Sequence, residues 1–179
     1  MAAPQKTSAK LRPATLQDAA QVSKLGASVF STTFGHSVTP TQLQSYLDEA
    51  YSIEATIKDL SDPNKDMVVA ETDEGAVVGF ALLTRGSSEP CVEDVSDKVE
   101  LQRIYVDKSC HGTGLGKRLA LELEKTAREQ GFKHIWLGVW EDNHIAQKFY
   151  ERLGYKVVGD HDFDIGGDIQ TDHIMIKDL

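Results

Sequence analysis

Three glycines, Gly112, Gly114 and Gly116, stand at a junction between a β-branched run and a run with helical spacing. This junction constrains the chain more than any other stretch. The segment reads His111-Gly112-Thr113-Gly114-Leu115-Gly116-Lys117-Arg118. Val99 to Val106 precedes it as a predicted strand. Leu115, Leu119, Leu123 and Ala127 follow at every fourth position, with Gly131 where a helix would end. Glycines let the main chain bend sharply and approach a ligand with no side chain in the way. The unpaired amides of the first helical turn then converge on one spot, and the helix dipole adds roughly half a positive charge there. Such a junction is an anion site, suited to a phosphate or pyrophosphate, with Lys117 and Arg118 adding charge at its edge. The alternative is a glycine-rich connection that holds nothing.

Two familiar phosphate motifs do not fit. A P-loop needs G-x-x-x-x-G-K-[ST], but His111 stands at the first glycine and Arg118 at the hydroxyl that would hold magnesium. The dinucleotide pattern G-x-G-x-x-G has Lys117 where its last glycine belongs, and Lys133-His134 lie where an acidic residue should end the next strand.

The rest of the chain reads as α/β. Thr15-Leu-Gln-Asp18 opens a helix carrying Ala19, Val22, Leu25 and Val29, a second starts near Pro40, and a third spans 53–60. Met67 to Glu71 and Ala76 to Leu83 form a hairpin about Asp73-Glu74-Gly75. Residues 85–97 are polar and read as a loop. Ile135 to Val139 reads as a strand buried on both faces, and Asn143 to Leu153 as a short helix. Tyr155 to Gly159 and His173 to Ile176 are the last strands, separated by a polar turn around Gly166-Gly167. Strands alternating with helices in the second half imply a parallel segment with crossover helices, and the upstream hairpin makes the sheet mixed.

Length and composition narrow the class. The chain has 179 residues, 40% hydrophobic and 26% charged, which suits one domain over residues 9–179 behind a disordered tail over 1–8. The net charge of −9 disfavours nucleic acid and anionic membrane and favours cationic partners, although solubility alone accounts for it equally well. Cys91 and Cys110 have no metal or disulfide spacing, and the start of the chain lacks the apolar core of a secretory signal. A cytoplasmic protein is expected, with the nucleus an alternative. The scattered histidines have no metal-ligand spacing, so no metal is expected.

With its context, the glycine segment resembles the pyrophosphate motif Q/R-x-x-G-x-G/A of the GNAT acetyltransferases, except that His111 stands in place of glutamine or arginine. Glu100-Leu-Gln-Arg-Ile-Tyr-Val-Asp107 resembles the family strand that pairs with pantetheine. Asn143-His-Ile-Ala146-Gln-Lys-Phe149-Tyr150-Glu-Arg-Leu-Gly154-Tyr155 resembles its N-x-x-A-x-x-F-Y-x-x-x-G-F/Y motif. Leu137 to Asn143, His161-Asp-Phe163, Gln170 to Lys177 and Thr33-Phe34 are similar to the PaiA-type subgroup, the spermidine/spermine acetyltransferases. The resemblance implies a single-domain α/β fold, a mixed, twisted sheet of about seven strands flanked by about four helices. It implies acetyl-CoA as co-substrate and a cationic amine, a polyamine first, as acceptor. A protein or peptide amine, another small amine, and a non-catalytic acetyl-CoA-binding module remain alternatives. The oligomeric state stays open, a homodimer included.

Making an amide from a thioester needs a neutral amine, a stabilised oxyanion and a leaving thiolate. Deprotonating a primary amine at neutral pH costs roughly 4 kcal/mol, so a base is useful. Glu100 is the candidate, on the face that period-two alternation shares with Gln102, Ile104 and Val106; a solvated carboxylate at a strand end is the other reading. Asn143, Ala146 and Tyr150 share one helix face by spacing, whereas Ile145, Phe149 and Leu153 share another that reads as core. Tyr150 stands where the family has a proton donor to the thiolate, and Asn143 can bind the pantetheine arm or order water. The main chain of Ile104, Tyr105 and Val106 is expected to pair with pantetheine, and His111 to Lys117 to cradle the diphosphate. Cys110 reads as a bystander.

Overall fold

The structure, a computed structural model, describes residues 9–165 and 168–179. The tail over 1–8 and the turn at Gly166-Gly167 lie outside the described residues. The class is the expected α/β. Seven strands run β1 Lys10–Pro13, β2 Lys65–Glu71, β3 Val77–Thr84, β4 Lys98–Val106, β5 His134–Trp140, β6 Lys156–Ile165 and β7 Asp168–Asp178. They join in the order β1-β2-β3-β4-β5-β7-β6. Pairing is parallel between β4 and β5 and antiparallel for β1/β2, β5/β7 and β6/β7, so the sheet is mixed as its pattern implies. The helices are α1 Ala19–Phe34, α2 Pro40–Ala50, α3 Ile53–Ser61, α4 Leu115–Glu129 and α5 His144–Arg152. The chain divides into two compact units. One holds the described residues up to Leu82 with Arg103–Glu122, the other Leu83–Gln102 with Leu123–Leu179.

Within the first unit, side-chain caps set the helix starts. The Asp18 carboxylate accepts the Thr15 amide at 2.7 Å and is gripped by both terminal nitrogens of Arg12 at 2.8 Å. That grip holds its pKa down at about 2. Thr39 and Gln42 cap α2 reciprocally with Pro40 at its first position, and Ser52 caps α3. Val22 and Leu25 of α1 pack on Met67, Val69, Val77, Phe80 and Leu82. Gly26 lets Tyr51 lie against α1, since a Cβ there would come within 2.6 Å of the ring.

In the second unit, β4 and β5 are paired from Lys98↔His134 to Glu100↔Trp136, although both strands continue further. Cross-strand partners share a face. One face therefore carries Glu100, Trp136, Gly138, Trp140, Asp172, Ile174, Gly159 and His161. The other carries Ile135, Leu137, Met175 and Lys177. Residues 85–97 are less loop-like than their composition suggests. A 3-10 turn, Pro90–Val92, drives Val92 onto Trp136 and Ile174, and the Asp97 carbonyl accepts the Lys133 and His134 amides. The last two strands also exceed their predicted 155–159 and 173–176. Their polar ends pair with each other: His173 Nδ1 donates to Asp160 at 2.6 Å, and Thr171 Oγ1 to Asp162 at 2.7 Å. A run of Asp, His and Thr thus reads as turn in one dimension and pairs as strand in three.

Candidate active site

The glycine junction lies in the first unit and is built as its sequence implies. β4 ends at Val106, and the amide of the next residue, Asp107, donates to the Val78 carbonyl. The Asp107 carboxylate accepts both the amide and the hydroxyl of Ser109, which lowers its pKa. A 3-10 turn buries Cys110, and Gly112 (φ +76°) and Gly114 (φ +83°) then take left-handed conformations that L side chains resist. A Cβ at either glycine would meet nothing within 4 Å, so the junction is open to a ligand. Thr113 turns its hydroxyl back to the Cys110 carbonyl at 2.7 Å and does not cap the helix. Arg118 is the first residue of α4 whose amide finds a main-chain acceptor, the Gly114 carbonyl. Among the described residues, the amides of Leu115, Gly116 and Lys117 have none, as the start of an uncapped helix requires. Leu115 and Leu119 anchor this turn against Gly79, where a Cβ would sit 3.1 Å from Leu119 and 3.2 Å from the Tyr105 carbonyl. These donors and this space fit a diphosphate.

The side chains around the junction are placed less simply. The His111 ring turns back to the Val106 carbonyl at 3.1 Å. Lys117 is exposed, while Arg118 reaches the Ala9 carbonyl at 2.8 Å. At the end of β4, Ile104, Tyr105 and Val106 are half-buried. The Tyr105 hydroxyl meets that of Tyr51 at 2.5 Å, and its ring stands edge-on to Phe80. Arg103 lies over the Tyr51 ring and pairs with Asp59 at 2.8 Å. The parts of this cluster lie far apart along the chain, and no motif marks them.

In the second unit, Asn143 caps α5, its Oδ1 accepting the Ala146 amide at 3.2 Å. Gln147 ties the helix to the end of β5 through the Trp140 and Glu141 carbonyls. Tyr150 is buried, edge-on to Phe149 and Tyr155. Burial pushes its phenol well up, so it stays protonated and has a proton to donate. One assignment is corrected here. Ile145, which spacing puts on a core stripe, is 85% exposed, because the buried stripe of this nine-residue helix runs through Tyr150. Glu100 is half-buried and stands opposite Trp136. Beside it in sequence, Gln102 accepts the Thr84 hydroxyl at 2.5 Å.

Sequence reasoning gave no role to one group. Asp172 lies opposite both Trp140 and His161 in register, and its Oδ2 is 3.1 Å from where a Cβ of Gly138 would be. Burial pushes its carboxyl up to about 6. His161 Nδ1 lies 2.8 Å from a Glu89 carboxylate oxygen. The available signal was the resemblance over 161–163 and 170–177, which carried no residue roles. Among the described residues, no three His, Cys, Asp or Glu side chains form a group able to hold a metal. None of the described helices is long and apolar enough to cross a membrane.

Comparison with known proteins identifies the class. Residues 32–155 match the Acetyltransferase (GNAT) family. An uncharacterized N-acetyltransferase of Mycobacterium tuberculosis is 30% identical over 164 residues, covering 92% of this chain and 99% of that protein. The spermine/spermidine N(1)-acetyltransferase of Bacillus subtilis is 32% identical over 108 residues, 59% of this chain and 66% of the relative. The crystal structure of the PaiA N-acetyltransferase from Thermoplasma acidophilum in complex with coenzyme A shares the fold. It superimposes with a TM-score of 0.77 at 24% identity, over 96% of this chain and 99% of that one. The chain belongs to the GNAT family of acetyltransferases. It is an acetyl-CoA-dependent N-acetyltransferase, with acetyl-CoA as its co-substrate.

Proposed function

We propose that the acceptor is a cationic amine, a polyamine of the spermidine/spermine type first, acetylated by direct attack in a ternary complex. Acetyl-CoA supplies the activated acetyl thioester. The amides of Leu115, Gly116 and Lys117, with the backbone of His111 to Gly114, hold its diphosphate. The main chain of Ile104, Tyr105 and Val106 pairs with pantetheine, and the Asn143 side-chain amide, its oxygen already spent on the helix cap, has N–H donors left for the same arm. Glu100 takes the amine proton, directly or through water. Tyr150 donates its phenolic proton to the departing sulfur. The observation that carries this chemistry is the buried Tyr150 phenol, which burial keeps protonated. The polyamine choice draws on the Bacillus relative's named substrate and on a net charge of −9 that attracts polycations. Both cysteines are free thiols, which suits a reducing compartment such as the cytoplasm.

A thiol-release screen across polyamines, aminosugars, amino acids and peptides tests the acceptor. Tyr150→Phe is expected to lower kcat about 100-fold, the usual range for losing a general acid, with calorimetric affinity for acetyl-CoA unchanged. Equal loss of turnover and affinity would overturn the assignment of Tyr150, and absence of turnover with every amine would overturn the reading as a whole.

A further inference from the structure

Asp172 is a half-buried carboxylate to which, among the described residues, no side chain or main-chain amide donates. The fold has donors nearby and spends them elsewhere. His161, its partner across β6 and β7, has Nδ1 against the Glu89 carboxylate. His173, its neighbour in sequence, gives Nδ1 to Asp160. The missing side chain of Gly138 lets the Asp172 carboxylate lie over β5, its Oδ2 3.1 Å from where a Cβ would be, and Trp140 stands directly opposite in register. A carboxylate withdrawn from water without a donor is costly unless something cationic arrives. The upward shift of its titration has the same cause. The strand registers place this carboxylate on the sheet face that carries Glu100.

We infer that Asp172 binds a second ammonium group of the acceptor, so that it selects di- and polycationic amines over monoamines. This rests on the amine-acetyltransferase reading above. The attacking nitrogen must lose its proton, whereas the remote nitrogen keeps its own and forms a charge-assisted hydrogen bond with Asp172.

The test compares wild type with Asp172→Asn, using spermidine and n-butylamine as acceptors. In Asp172→Asn the KM for spermidine is expected to rise roughly 10-fold or more, the worth of one charged hydrogen bond, with a much smaller change in kcat. The preference for spermidine over butylamine in kcat/KM falls by a similar factor. Gly138→Ala, whose methyl crowds the carboxylate, moves the same quantities in the same direction. Calorimetric titration of spermidine into wild type and Asp172→Asn reads the same loss without turnover, and a melting temperature no lower than wild type shows that the variant folds. A folded Asp172→Asn with unchanged spermidine KM and affinity overturns the inference alone. A wild type that acetylates monoamines as well as polyamines overturns it while leaving amine acetylation intact. A wild type inactive on every amine overturns both.

Discussion

Two carboxylates of the second unit, Glu124 and Asp172, are treated in opposite ways. Glu124 of α4 is 0% exposed, yet it is surrounded by donors. Lys177 reaches its two oxygens at 2.7 and 2.9 Å, Arg128 approaches at 3.4 Å, and the Tyr155 hydroxyl lies at 3.4 Å. Asp172, on the same strand as Lys177 but on its opposite face, has none among the described residues. A buried charge that serves the fold is neutralised by the fold. A charge held ready for a ligand is left without a partner, and the folded state is less stable for it.

The contrast can be broken most sharply at Lys177. Lys177→Met leaves Glu124 buried with only its weaker contacts, and the expected loss is about 3–5 kcal/mol of unfolding free energy by chemical denaturation. A loss below about 1 kcal/mol would mean that the pair is not structural. Asp172→Asn is expected to act in the opposite direction, stabilising by about 1 kcal/mol at pH 7 because it removes an unpaired charge. The sign extends to pH. The Asp172 carboxyl titrates at about 6 in the fold and near 3.8 when unfolded. The folded state therefore takes up a proton that the unfolded chain does not, and wild type gains stability from this group as pH falls from about 6 to about 4. Glu89, His161 and His173 surround the site and are common to both proteins, so the difference between wild type and Asp172→Asn is what isolates it; that difference is expected to shrink toward pH 4. The smallest effect belongs to Arg128→Ala. Its guanidinium is half-exposed at 3.4 Å from Glu124, and the change is expected to stay within about 0.5 kcal/mol in the same denaturation assay.

The two sites also differ in how legible they are from sequence. Gly112, Gly114 and the helical run from Leu115 announce their site directly, because positive φ and helical spacing are properties of a few adjacent residues. The place of Tyr150 on α5 is legible for the same reason, since the spacing from Asn143 survives as a capped helix. Local periodicity failed on Ile145, which fits an apolar stripe and faces water. It failed again on residues 160–165 and 168–172, whose Asp, His and Thr look like turn until they pair across two strands. Arg103, Asp59 and Tyr51 were invisible as a cluster, because their contacts join residues far apart in the chain.

By itself the sequence determined the strand–glycine–helix cradle, the capped helices and the buried phenol's place on α5, because each depends on backbone conformations that neighbouring residues set. Only the tertiary structure decided which charges have partners: that Glu124 meets Lys177 53 positions away, and that Asp172 lies over Gly138 with its histidines turned to other carboxylates. The reason is physical. Conformational preference is short-ranged, whereas the cost of a buried charge depends on everything the fold brings within a few ångströms of it.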